Sequence, residues 1–138
     1  MIKQIGVYIC HCGTNIAATV DCQELVNFSS KLPGAKIARD YRYLCSDPGQ
    51  DLIKKDIHDL SIDRVVVAAC SPQMHEMTFR NLLSAEGLNP YLLHFANIRE
   101  QCSWVHKDRE KATEKAKHLL QAAVARVLHQ EALTARKV

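Results

Sequence analysis

The sequence predicts an α/β fold: a three-layer α/β/α sandwich around a four-stranded parallel sheet, flavodoxin-like or Rossmann-like. Three observations predict it. Strand-length apolar runs alternate with helix-period segments four times along the 138 residues. The joins are short, and right-handed crossovers with helices on both faces make the sheet parallel. Two strand ends run straight into helix-start chemistry, Cys45-Ser46-Asp47-Pro48 and Cys70-Ser71-Pro72, in which a hydroxyl caps free N–H groups and a proline opens the first turn.

The elements follow in order. Residues 5–10, Ile-Gly-Val-Tyr-Ile-Cys, form the first strand and lead into Cys10-His11-Cys12-Gly13. Asp21 followed by Glu24 is an acidic capping box for a helix to about Leu32, with Leu25, Val26 and Leu32 inward, and Pro33-Gly34 stops it. Residues 35–44 are a more polar strand near an edge, ending on Cys45. The next helix runs to about Leu60 and turns Leu52, Ile53, Ile57 and Leu60 inward. The central strand, 64–70, ends on Cys70. A helix over about 72–86 presents Met74, Met77, Phe79, Leu82 and Leu83, and Gly87 closes it. Residues 91–96 are the fourth strand. A long helix over about 107–133 carries Ala112, Ala116, Leu119, Leu120, Ala123 and Val127 at helical spacing. With no repeat, linker or low-complexity segment, residues 1–138 read as a single domain long enough to bury its own core.

Composition narrows the class. Apolar residues at 47% and charged residues at 24% are ordinary for a globular protein. No apolar run approaches the ~20 residues that span a bilayer, and the N-terminus leads into strand-like sequence rather than a signal peptide. The expectation is a cytoplasmic protein with no membrane insertion. The net charge of +3 is concentrated in residues 107–138, yet the basic residues lack interleaved aromatics, so nucleic acid is not the expected partner. Gly13 lacks the spaced glycines of a dinucleotide fingerprint, so neither FAD nor NAD is expected in this chain. No Ser-His-Asp or paired-carboxylate arrangement stands out, and no catalytic residue is assigned.

The six cysteines carry the chemistry. In a reducing compartment, clustered cysteines point to metal or redox chemistry rather than to disulfides. In a parallel sheet the segments after all four strands share one edge, where open α/β folds bind ligands. Those segments hold Cys10, Cys12, Cys45, Cys70 and Cys102, the candidate metal ligands. Cys22 falls just inside the first helix and is assigned to packing. Grouped thiolates repel and lose hydration, so they need protons or a cation. Helix N-termini after Cys45 and Cys70 favour the thiolate and offer N–H groups to sulfur. An iron–sulfur cluster suits four such thiolates. Structural zinc competes, and a disulfide or thiol relay comes third, weakened because Cys10 and Cys12 have one residue between them. Either Cys10 or Cys12 can be the spare fifth. His11, His75 and His106 share these loops and are read as hydrogen-bond partners or caps. Trp104 is read as an anchor or docking residue.

Four segments resemble a known family: Cys10-His11-Cys12-Gly13 with Asn15-Ile16; Tyr43 to Gln50; Val66 to Glu76 with Cys-Ser-Pro-x-x-His-Glu; and Asn89-Pro90-Tyr91 through Asn97-Ile-Arg-Glu-Gln-Cys-Ser-Trp-Val-His106. Together they are similar to the N-terminal domain of the heterodisulfide reductase A subunit over nearly the whole chain. The resemblance implies an electron-transfer part of a flavin-based, electron-bifurcating complex. Its partners would be flavin-containing and other iron–sulfur subunits or domains, and its cofactor a [4Fe–4S] cluster on the motif cysteines Cys10, Cys12, Cys45, Cys70 and Cys102. In full-length members a flavin domain follows, beginning about where this chain stops, so the chain reads as an excised or stand-alone version without heterodisulfide reduction of its own. The rival expectations are a metal-free docking module for the flavin subunit and a thiol–disulfide redox protein.

Overall fold

The computed structural model describes residues 3–136. Its sheet consists of β1 (Ile5–Cys10), β2 (Ala35–Tyr41), β3 (Arg64–Ala69) and β4 (Leu93–Asn97), all parallel, in the order β2-β1-β3-β4. The helices are α1 (Cys22–Ser29), α2 (Asp47–Leu60), α3 (Pro72–Ala85) and α4 (Arg109–His129). A single π-helical turn, Arg99–Ser103, joins β4 to α4. This is the expected three-layer arrangement, with the more polar β2 on an edge.

Strand periodicity divides the core in two. Ile5, Val7, Ile9, Val66 and Ala68 point to one side, where Leu25 of α1 and Ala112, Ala116, Leu120, Ala123, Val124 and Val127 of α4 cover them. Tyr8, Cys10, Val65, Val67 and Ala69 point to the other, against Ile53 and Ile57 of α2 and Phe79, Leu82 and Leu83 of α3. The alanine-rich stripe of α4 lets this longest helix lie close to the sheet.

The order 2-1-3-4 has its reversal between β1 and β3. The chain leaves β1 toward one side and β3 toward the other, so their carboxyl ends open a crevice there. Both helix starts predicted at this edge are present. Ser46 caps α2 by accepting from Gly49 N at 3.3 Å, and Ser71 caps α3 by accepting from Gln73 N at 3.3 Å.

Several boundaries differ from the sequence expectations. β2 ends at Tyr41, and residues 42–46 form a loop that carries Cys45 across the end of the sheet. β4 starts at Leu93, because Asn89 to Leu92 form a turn closed by Leu92 N on Asn89 O at 3.1 Å. α1 stops at Ser29, and α4 covers 109–129 rather than about 107–133. Asp21 caps α1 through Glu24 N as expected, but the reciprocal half of the box is absent. Asp21 N donates to Thr113 Oγ1 at 2.9 Å, while the Glu24 carboxylate accepts from Lys117, so α4 takes the place of the local bond. Met74 and Met77 are exposed, since they lie on the face of α3 opposite Phe79, Leu82 and Leu83.

Candidate metal centre

The crevice at the end of β1 and β3 is a cavity of about 50 Å³ lined by four sulfur-bearing side chains, Cys10, Cys12, Cys45 and Cys70. Leu44, Ala69, Phe79 and Phe95 give it apolar lining, and Tyr43, His75 and Arg99 line it as well. No aspartate or glutamate lines it.

Each cysteine arrives by a different local device. Cys10 is the last residue of β1 and is buried at 6% exposure. Its sulfur accepts from Cys12 N at 3.3 Å and from Leu44 N at 3.5 Å. Cys12 and Gly13 are both left-handed, with φ of 51° and 62°. That conformation is rare for a residue with a side chain, and here it folds the loop back so that Gly13 N meets Arg42 O at 3.1 Å. A side chain at Gly13 would collide with Tyr43 Oη at 2.4 Å. Cys45 sits in the 42–46 loop. Gln50 of α2 fixes its carbonyl by donating from Nε2 at 2.9 Å. Cys70 follows β3 immediately and precedes the α3 cap.

Gly49 sets how near α2 comes to this loop. A Cβ there would lie 2.4 Å from Tyr43 O and 2.6 Å from Leu44 Cα. Only a glycine permits that approach, and it is what delivers Leu44 N to Cys10 Sγ.

Burial pushes the Cys70 thiol up to about 11, although the Arg99 charge works against it. Burial also pushes the Cys10 thiol up, with the N–H groups of Leu44 and Cys12 opposing. Metal-free, these two sulfurs are therefore neutral thiols at neutral pH. A cation is the natural means of holding them as thiolates, and metal binding would release their protons.

Cys102 lies elsewhere. It is fully buried in the α1/α4 side of the core, and its thiol donates to Ala112 O at 3.2 Å. The π turn places it on the layer opposite Cys10. Cys22 packs in the same layer, as expected of it, and burial raises its pKa to about 12. Of the five candidates, the fold thus brings four together and sends one away.

The histidines divide likewise. His11 pairs with Asp40, and His106 Nδ1 meets Cys102 O at 2.7 Å, which ties down the π turn. His75 alone lines the cavity. Arg99 is a residue that reasoning on cysteines overlooked, although it stands in the recognised Asn97-Ile-Arg-Glu-Gln-Cys segment. Its Nη1 donates to Cys12 Sγ at 3.0 Å, and its guanidinium lies over the Trp104 ring at 4.6 Å. Trp104 is 56% exposed.

The donor set suits an iron–sulfur cluster. Sulfur donors converge from three loops, N–H groups and a cation face them, and the wall is apolar. Among the described residues no three His, Cys, Asp or Glu side chains stand close enough to hold one metal ion.

Comparison with known proteins agrees with the resemblance carried by the four end segments. The chain is 57% identical over 136 residues to the A subunit of the H(2):CoB-CoM heterodisulfide,ferredoxin reductase of Methanothermobacter marburgensis, covering 98% of this chain and 21% of that protein. It is 54% identical, with the same coverage, to one of the iron-sulfur A subunits of the CoB–CoM heterodisulfide reductase of Methanopyrus kandleri. The chain is homologous to the heterodisulfide reductase A subunit over one N-terminal-like domain. It spans about a fifth of the length of these curated relatives. A third relative, an Archaeoglobus profundus protein described as like the heterodisulfide reductase A subunit, is 53% identical over 98% of this chain and 19% of its own length. No protein-family profile matches the chain. No helix among the described residues is long and apolar enough to cross a membrane.

Proposed function

We propose that this chain is the iron–sulfur electron-transfer module of a heterodisulfide-reductase-type, flavin-based bifurcating complex, and that Cys10, Cys12, Cys45 and Cys70 hold a [4Fe–4S] cluster. The observation that carries this reading is the convergence of those four cysteines on one apolar cavity at the β1/β3 crevice. The Methanopyrus relative is named as an iron-sulfur subunit, which supports it. In this reading residues 1–138 form one cytoplasmic module without flavin or nicotinamide, which works beside flavin-containing and other iron–sulfur subunits or domains.

When bound, such a cluster accepts and returns one electron at a time. The chain's own residues supply the setting. Cys10, Cys12, Cys45 and Cys70 would hold the group as thiolates, once the protons that burial otherwise keeps on Cys10 and Cys70 are released. Leu44 N and Cys12 N donate to Cys10 Sγ, and Arg99 donates to Cys12 Sγ, so negative charge at sulfur is met by fixed donors. Leu44, Ala69, Phe79 and Phe95 contribute apolar lining. Cys12 and Cys45 are the less buried pair and mark the side nearest solvent, from which an electron partner would approach.

The test is iron and acid-labile sulfide per chain, with a visible spectrum, on protein prepared without oxygen. About four of each, with a broad band bleached by dithionite, is the expected result. Zinc in their place would make the site structural. Cooperative folding and partner binding with no metal after anaerobic reconstitution would leave the docking module standing instead.

A further inference from the structure

The cavity has one permanent charge, and it is held in place from two sides. Arg99 is only 14% exposed. Its Nε donates to Glu100 Oε1 at 2.9 Å and its Nη2 to Glu100 Oε2 at 3.3 Å. The indole of Trp104 stacks against the guanidinium at 4.6 Å. Glu100 is anchored in turn, because its Oε2 accepts from Ser71 N at 3.3 Å, at the start of α3. What remains free to point inward is Nη1, and it meets Cys12 Sγ at 3.0 Å. A salt bridge on a surface has no need of such support. An arginine clamped by an indole and by a carboxylate that is itself anchored at a helix N-terminus is a fixed electrostatic element.

We propose that Arg99 is a positioning residue that sets the reduction potential of the cysteine-bound group through Cys12, with Glu100 as its counterweight. The inference rests on the cluster reading above. One added electron would make the cysteine-held group as a whole one unit more negative. A guanidinium in contact with one of its sulfur donors favours the reduced form and raises the potential, while the Glu100 carboxylate, one contact further out, lowers it. The two substitutions therefore have opposite signs. Arg99→Gln removes a positive charge and lowers the potential. Glu100→Gln keeps a hydrogen-bond acceptor for Arg99 but removes a negative charge, and raises it.

The experiment is a dye-mediated dithionite titration of the full chain, loaded anaerobically, for wild type, Arg99→Gln and Glu100→Gln, after iron and sulfide have been counted in each. At a fixed applied potential the oxidised-to-reduced ratio of Arg99→Gln is expected to rise about tenfold, a shift of about 59 mV for one electron. Glu100→Gln is expected to shift the other way. Equal potentials in fully loaded wild type and Arg99→Gln overturn the proposal, and a purely structural role for Arg99 would give that result. Should Arg99→Gln fail to retain iron, the sign in Glu100→Gln decides, and an unchanged or lowered potential there overturns it. A wild-type chain that takes up no iron and sulfide overturns the cluster reading itself and this inference with it, and that outcome appears before any variant is made.

Discussion

Cys102→Ala separates the four-ligand reading from one that includes all the strand-end cysteines. In the structure this thiol is fully buried between the sheet and α4, with its one hydrogen bond going to Ala112 O. The substitution removes one heavy atom from a packed core, leaves a small void and deletes a weak donor. The loss is about 1–2 kcal/mol, by analogy with removing one or two methylenes and one neutral hydrogen bond. For a chain of this size that lowers Tm by roughly 3–8 °C. The cavity formed by Cys10, Cys12, Cys45 and Cys70 is untouched, so iron and sulfide per chain stay at the wild-type level. Cys70→Ala is the mirror image: it removes most of the bound iron. The assay is paired, with metal analysis on anaerobically reconstituted protein and thermal unfolding of the same samples stripped of metal. If Cys102→Ala folds cooperatively when stripped yet takes up no more iron than Cys70→Ala, then Cys102 is a ligand and the assignment of the four is wrong.

Three further outcomes follow from the same contacts. Gly49→Ala gains up to about 1 kcal/mol of helix propensity but drives a Cβ to within 2.4 Å of Tyr43 O. The clash wins, and the expected net loss is about 2–3 kcal/mol in urea unfolding, with reduced iron occupancy as the 43–44 backbone is displaced. Tyr8 is fully buried and donates to Asp56 Oδ2 at 2.9 Å, while Arg39 meets both Asp56 oxygens at 2.7 and 3.1 Å. Asp56→Ala orphans the hydroxyl and unpairs the half-exposed arginine, a loss of about 2–4 kcal/mol. Tyr8→Phe leaves the Arg39–Asp56 pair intact and loses about 1 kcal/mol; equal losses in urea would show that Asp56 does not hold this group together. Finally, burial raises the folded-state pKa of Cys22 from 9.0 to about 12 and also raises that of Cys102. A raised pKa favours the protonated thiol in the folded chain. Its contribution is complete below about pH 9 and is lost as pH climbs from there toward 12. The urea midpoint of metal-free protein is expected to fall between pH 8 and pH 10.5, and less steeply in Cys22→Ala; identical slopes would refute the burial argument for Cys22.

The sequence was most informative where a local rule has no competitor. The runs 5–10 and 64–70 are apolar enough to be strands only in the middle of a sheet, and they are β1 and β3. Ser46-Asp47-Pro48 and Ser71-Pro72 satisfy helix starts from within a few residues, so both starts are where the sequence places them. Reading was weaker where partners lie far away in the chain. Glu24 is close enough to complete a capping box, but Lys117 takes its carboxylate and Thr113 takes the Asp21 N–H. The two methionines of α3 belong to an apolar pattern by residue type, yet only the face shared by Phe79, Leu82 and Leu83 meets the sheet.

By itself, then, the sequence determined that strands alternate with helices, that the sheet is parallel, and that cysteines gather at its carboxyl edge. These follow from side-chain periodicity, cap chemistry and the handedness of crossovers, all of which act over a few residues or one connection. The tertiary structure alone decided which cysteines line one cavity. A sheet has two faces, and the turn after each strand selects one. The left-handed pair Cys12-Gly13 and the loop over Gly49 turn their sulfurs into the β1/β3 crevice, whereas the π turn carries Cys102 into the opposite layer. The same turn swings Arg99 across the chain to Cys12, a contact between residues 87 positions apart. Spacing along a sequence cannot express that choice, because it depends on the packing of α4 and α2 against opposite faces of one sheet.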